Sequence, residues 1–160
     1  MEQKTTVNAE DGSQEIFITR EFDLPVELLF KAHVEPEIFE QWMSHEYGTT
    51  KVLKWENHKH GSWRFHTIDA QENVLFAANG VFHAVVPNNR IIRTFEMENT
   101  SFDAQLEFLE FEKLTDTTSK LSMQTVFKSA ALRNQLLKMP FAQGLNMAHN
   151  RLQKILSELK

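Results

Sequence analysis

Cysteine is absent from this 160-residue chain, which removes disulfide staples, thiolate nucleophiles and cysteine-ligated zinc or iron–sulfur centres together. Glycine and proline number only 5 and 4, and no repeat, linker or low-complexity tract breaks the sequence, so a second domain is not supported. No apolar run approaches the ~20 residues that cross a bilayer. The opening stretch MEQKTTVNAEDGSQE lacks the basic start and apolar run of a secretory signal, so a cytoplasmic location is expected and a membrane partner is not. Nor is there a lysine or arginine block: 17 basic against 22 acidic residues leave a formal charge of -5. A nucleic-acid partner is therefore not expected, because neutralising phosphates needs a concentrated basic face.

What the chain does have is apolar material, unusually rich in phenylalanine: 13 Phe against a single Tyr. A chain of this length buries about two thirds of its unfolded surface without help from staples. Residues 1 to 14 are polar and aperiodic and read as a flexible N-terminal lead-in, with a single domain over 15 to 160. In QEIFITREFDLP, Ile16, Ile18 and Phe22 alternate with polar neighbours, the pattern of a half-buried strand. Pro25 suits the first turn of a helix over PVELLFKAHV. Pro36 breaks it and begins a second helix, EPEIFEQWM.

From residue 50 to 128 the helical period vanishes. TTKVLKW, SWRFHTI, VLFAANGVFHAVV, RIIRTFEM, QLEFLEFEKL and KLSMQTVF read as six further strands, separated by turn-forming clusters such as His60-Gly61 and Pro87-Asn88-Asn89. The strand at 104 to 112 has apolar residues on both parities, Leu106 and Phe108 against Leu109 and Phe111; either both faces are covered or a bulge shifts the phase. Beyond Ser129, Leu145, Ala148, Leu152, Ile155, Leu156 and Leu159 recur at spacings of three and four, an amphipathic helix running from 130 to the end with a bend near Pro140. A long helix with one apolar stripe needs an apolar surface, and a curved antiparallel sheet is the only one on offer. The expectation is an α+β fold: seven antiparallel strands, two short helices after the first, and a long C-terminal helix across the concave face.

That order of elements, together with ITREFDLPVELLFKAHVEPEIFEQWM, GVFHAVVPNNRIIRTFEME and VFKSAALRNQLLKMPFAQGLNMAHNRLQKIL, resembles the helix-grip fold of the START-like (Bet-v-like) superfamily. More narrowly it resembles the bacterial SRPBCC, polyketide-cyclase-like branch related to activators of the heat-shock-protein-90 ATPase. The resemblance implies a small-molecule cavity between sheet and helix. It also marks departures: where the family commonly reads an acidic residue, arginine and a pair of glycines before serine and an aromatic, this chain has Glu56, His58 and His60-Gly61 before Ser62 and Trp63.

A metal could be held by His58, His60 and His66, since residues two apart on a strand share a face. Against this, the turn at Gly61 separates the third, no carboxylate has facial-triad spacing, and the resembling family does not generally use a metal; exposed histidines on a hairpin are the simpler reading. His33, His45, His83 and His149 share no spacing and read as surface or cavity-wall residues. No nucleophile elbow such as G-x-S-x-G occurs, and no catalytic residue or cofactor is assigned. Candidate ligand-binding residues are Trp42, Trp63, Phe65, Phe82, Phe95, Phe108, Met123 and Phe127, with Met139 and Leu145 from the helix side. Together they suffice to line a pocket of about a few hundred Å³. His66 and His149, with Arg64 and Tyr47, are the polar groups that could orient a ligand. The first expectation is a binder of a small hydrophobic or aromatic, lipid- or polyketide-like molecule. A cyclase or hydrolase using cavity histidines is the alternative from another class. A module that stimulates a chaperone ATPase, with a chaperone as partner, is the third. A monomer and a homodimer are both compatible with the sequence.

Overall fold

Alternating side chains and turn-forming punctuation carry the middle of the chain into one sheet. The computed structural model describes residues 3–159. Its strands are β1 (Thr6–Asn8), β2 (Glu15–Phe22), β3 (Thr49–Trp55), β4 (Ser62–Ile68), β5 (Val74–Val86), β6 (Arg90–Met97), β7 (Gln105–Lys113) and β8 (Ser119–Val126). The helices are α1 (Val26–Val34), α2 (Pro36–Met43), α3 (Ala130–Leu137) and α4 (Phe141–Ser157). The strands form one 8-stranded antiparallel sheet in the order β1-β2-β8-β7-β6-β5-β4-β3. This is the α+β helix-grip arrangement expected from the sequence, with one strand more than the seven anticipated. The addition is β1, which lies inside the stretch read as a flexible lead-in and pairs with β2 through Val7 and Ile18. Three residues with no apolar alternation give almost no signal for a strand.

Register shifts fall between Val52 and Lys54, between Thr67 and Ile68 and between Phe82 and Ala84. Each adds local twist and bends its strand, so the β3–β5 end of the sheet curls. The terminal helix breaks where Pro140 stands, as the sequence indicates: α3 is capped by Ser129, whose hydroxyl accepts from the Leu132 N–H at 3.1 Å. α4 then presents Ala148, His149, Leu152 and Leu156 as its buried side. Two tryptophans fasten α1 to α2 and β3: Trp42 Nε1 donates to the Ala32 carbonyl and Trp55 Nε1 to the Val34 carbonyl, each at 2.8 Å. Arg151 Nε in turn donates to the Trp42 carbonyl at 3.0 Å, tying α4 to α2.

The β3–β4 turn shows the physical cost of the departure at His60. Its φ is 71°, the left-handed region that an L residue enters at about 1–2 kcal/mol. It is held there because its N–H donates to the Phe82 carbonyl while the Phe82 N–H returns to the Gly61 carbonyl, both at 2.8 Å. Gly61 itself admits no side chain, since a Cβ would stand 2.0 Å from the Glu56 carbonyl oxygen. His60→Gly is expected to stabilise the protein by about 0.5–1 kcal/mol, the relief of strain less the extra unfolded-state entropy of glycine. Urea unfolding checks this as a higher midpoint at unchanged slope; a lower midpoint would mean that the His60 side chain contributes contacts worth more than its strain.

Candidate functional site

Inward-facing residues of the sheet and the facing sides of α2, α3 and α4 do not meet. They leave a cavity of about 540 Å³, within the range that houses small ligands. Its sheet wall is aromatic because β4 alternates strictly: Trp63, Phe65 and Thr67 point inward. Trp63 and Phe65 stack with centroids 5.7 Å apart, and Phe95 joins them from β6 at 5.4 Å from Trp63. Gly80, paired with Trp63 across the ladder, makes this possible: a Cβ there would lie 2.6 Å from the indole ring. Met123 completes the sheet side, while Trp42, Leu145 and His149 supply the helical one. Leu75, Met139 and His45 line the cavity and are also exposed, which places its mouth between the β4–β5 turn, the α3–α4 break and the segment after α2.

Of the candidates named from sequence, Trp42, Trp63, Phe65, Phe95, Met123, Met139, Leu145 and His149 are brought around this one space. Four are not. His66 has the opposite parity to Trp63 and Phe65, so it lies on the convex face. Phe108 is likewise turned outward, because β7 keeps its register and buries Glu107, Leu109 and Phe111 instead. Phe82 is fully buried but packs edge-on against Trp55, centroids 5.8 Å apart, outside the cavity wall. Phe127 is buried just past the end of β8, its N–H bonded to the Gln14 carbonyl at 2.9 Å, and is also off the wall. The proposed orienting groups Arg64 and Tyr47 fall outside too. Arg64 forms a two-point pair with Glu98 at 2.8 and 2.9 Å on the convex face, and Tyr47 is 74% exposed. Among the described residues no cluster of three or more histidines and carboxylates is placed to hold a metal ion.

The polar groups that do reach the cavity are mostly ones the sequence did not single out. Arg93 and Glu107 are direct cross-strand partners on β6 and β7. Arg93 Nε donates to Glu107 Oε1 at 2.8 Å, with the two side chains only 11% and 7% exposed. Gln105 Nε2 donates to the other oxygen, Oε2, at 2.9 Å. The Arg93 guanidinium also sits 5.7 Å from the Trp63 ring centroid, and the Trp63 indole nitrogen is buried without a partner among the described residues.

Two histidines share the lining. His33 lies between Trp42 and Phe111, and its Nδ1 is 2.8 Å from the Leu29 carbonyl, so Nδ1 carries the proton and Nε2 a lone pair. Burial pushes its pKa down to about 4, and the nearby Arg93 charge acts the same way. His149, whose Nδ1 is 2.7 Å from the Thr5 hydroxyl, is pushed to about 3 by burial first and then by His33 and Arg20. Both are neutral imidazoles at neutral pH. The cavity thus combines an aromatic wall, a charge-compensated ion pair, two neutral rings and, from α4, Arg151, whose Nε is held by the Trp42 carbonyl.

With this geometry established, comparison with known proteins places the chain. The sequence profile of the family described as "Activator of Hsp90 ATPase homolog 1-like protein" matches residues 23–157. The chain belongs to this family. The match begins just after β2 and runs through α4, so the terminal helix, all of the sheet except β1 and β2, and the cavity lining apart from Ile18 lie inside the family unit. Solved structures agree on the fold. A protein from Rhodobacter sphaeroides superposes with a TM-score of 0.87 at 17% identity, with 97% of this chain and 99% of that one covered. Protein Ms6760 from Mycobacterium smegmatis gives 0.84 at 17%, covering 98% and 99%. A protein from Staphylococcus epidermidis gives 0.81 at 21%, covering 97% and 95%. No curated protein matches the chain. At these identities the family relationship carries the architecture, and the cavity's own residues must carry the function.

Proposed function

We propose that this protein binds a small hydrophobic or aromatic molecule in the cavity between the sheet and α4. The single observation that supports the reading is the cavity of about 540 Å³ walled by Trp63, Phe65, Phe95 and Trp42. An interior of ordinary packing density would have closed it. Aromatic faces offer a large contact area at little entropic cost, and the exposed mouth gives a route in. The two cavity histidines favour binding over acid–base turnover. A general acid or base works best with a pKa near the working pH, whereas burial pushes these two to about 4 and about 3. At neutral pH neither is an imidazolium with an acidic proton to give, and each is a weak base.

A thermal or urea stability screen against aromatic, lipid-like and polycyclic compounds tests the proposal. A ligand present at 100 times its dissociation constant is expected to add about 2.7 kcal/mol. Silence across such a panel would remove the reading. If the protein instead stimulated ATP hydrolysis by a co-purifying chaperone, and did so equally with its cavity plugged, the family description would be the better guide.

A further inference from the structure

The polar corner of the cavity is unevenly satisfied. Both oxygens of Glu107 are engaged: Oε1 accepts from Arg93 Nε at 2.8 Å and Oε2 from Gln105 Nε2 at 2.9 Å. Arg93 is the opposite case. Only its Nε donates, and neither Nη1 nor Nη2 has a hydrogen-bond partner among the described residues. A guanidinium carries five N–H donors in a fixed fork, so most of its capacity is unspent, in a side chain 11% exposed that lines the cavity. A second donor at the same corner is also unmet: the Trp63 indole nitrogen, in a lining side chain that is 3% exposed and lies under the Arg93 guanidinium. The indole nitrogen is a buried donor without an acceptor, which is costly, while the Arg93 Nη groups are not sealed off and have donors to offer a ligand in the cavity.

We infer that the cavity selects a neutral ligand whose buried end carries a carbonyl oxygen, as in a ketone, ester or amide, which accepts from Arg93 while the hydrocarbon remainder lies on the Trp63–Phe65–Phe95 wall. This deepens the proposed function and rests on it. A carbonyl fits because it needs donors only. A carboxylate fits this corner worse despite the arginine: Glu107 already compensates the Arg93 charge and would be the anion's neighbour, and the other lining cation, Arg151, stands on α4 rather than on the sheet. A cation would meet Arg93 directly.

Three dimethylaminonaphthalenes with one skeleton test the inference: the 6-propionyl ketone, whose emission reddens when its carbonyl accepts a hydrogen bond, the 6-propyl analogue, and the 6-carboxylate. The ketone is expected to bind at least about tenfold more tightly than the propyl compound, the scale of one hydrogen bond to a charged group, and more tightly than the carboxylate. In Arg93→Met/Glu107→Leu, which leaves no unpaired charge, the ketone-to-propyl ratio is expected to fall towards one and the bound ketone's emission to shift to the blue. Arg64→Met, on the convex face, is expected to change neither. Equal binding of ketone and propyl compounds by the wild-type protein would overturn the inference while leaving the cavity a binding site. Tightest binding of the carboxylate would overturn it in favour of an anion site. Binding of none of the three would remove the cavity reading and this inference with it.

Discussion

Arg93→Met is expected to lower the unfolding free energy by about 3–5 kcal/mol, whereas Arg93→Met/Glu107→Leu recovers most or all of that loss. The asymmetry comes from where the pair sits. Both side chains are almost wholly removed from water, bonded to each other at 2.8 Å. Deleting the arginine alone strands a carboxylate in a low-dielectric interior with only Gln105 to satisfy it, and the full desolvation penalty appears. Deleting both removes the penalty together with the attraction, and the leucine and methionine add apolar contacts to the aromatic wall. Urea unfolding of wild type, both single variants and the double variant closes the cycle, and a coupling energy of several kcal/mol is expected. Additive losses would mean that Arg93 and Glu107 are solvated independently, and the geometry of the cavity corner would be wrong.

The second large effect is acid sensitivity in a window where carboxylates contribute little. An unfolded histidine takes up a proton near its ordinary pKa of 6.5, while His33 and His149 resist until about 4 and about 3. Between those limits the unfolded state binds more protons than the folded state, so stability falls as pH drops through the window and is fully present above it. Each histidine contributes a slope of up to roughly 1.4 kcal/mol per pH unit. The carboxylates whose pKa is depressed, Glu98 to about 2 by Arg64 and Asn79 and Glu56 and Asp69 by local hydrogen bonds, titrate lower and leave the range from about pH 4.5 to about 6.5 mainly to these rings. His149→Gln is expected to cut the slope there by about half, and adding His33→Gln to remove most of the remainder. The check is urea unfolding at half-unit pH steps, and an undiminished slope in His149→Gln would show that this ring is solvated in the folded protein.

The order of elements, the Pro140 break and most of the aromatic wall are legible in the sequence, because each rests on local periodicity: β4 alternates cleanly, and α4 repeats at three and four. Phe108 and His66 are misplaced by parity, whereas Phe82 has the inward parity and misses the wall only by its place along β5. On β7 the apolar residues occupy both parities, and by pattern alone Phe108 is as good a wall residue as Leu109; the register with β6 decides, and register is a long-range property. Choosing the Leu109 and Phe111 parity brings Glu107 inside, which only becomes tolerable once Arg93 is known to stand opposite. Pattern reasoning therefore discounts a charged residue at a position where the fold uses it. The same parity argument, applied with more trust, moves His66 and Arg64 to the convex face, since they flank Phe65. His33 and His149 are visible in the sequence as surface or cavity-wall residues without shared spacing, His149 also as an orienting group; their neutrality comes from burial among Phe22, Trp42 and Phe111, contacts between segments far apart in sequence. β1 has too few apolar residues to be seen at all.

The most direct test of the central claim, that the space between sheet and α4 receives a ligand, is nuclear magnetic resonance of methyl-labelled protein with the 6-propionyl dimethylaminonaphthalene bound. Intermolecular contacts from its ring protons to the methyl groups of Met123 and Leu145, which line the cavity from β8 and α4, are the expected result. Contacts confined to Leu53, Val81 or Val86, exposed on strands away from the wall, would place the compound on the surface and contradict the account.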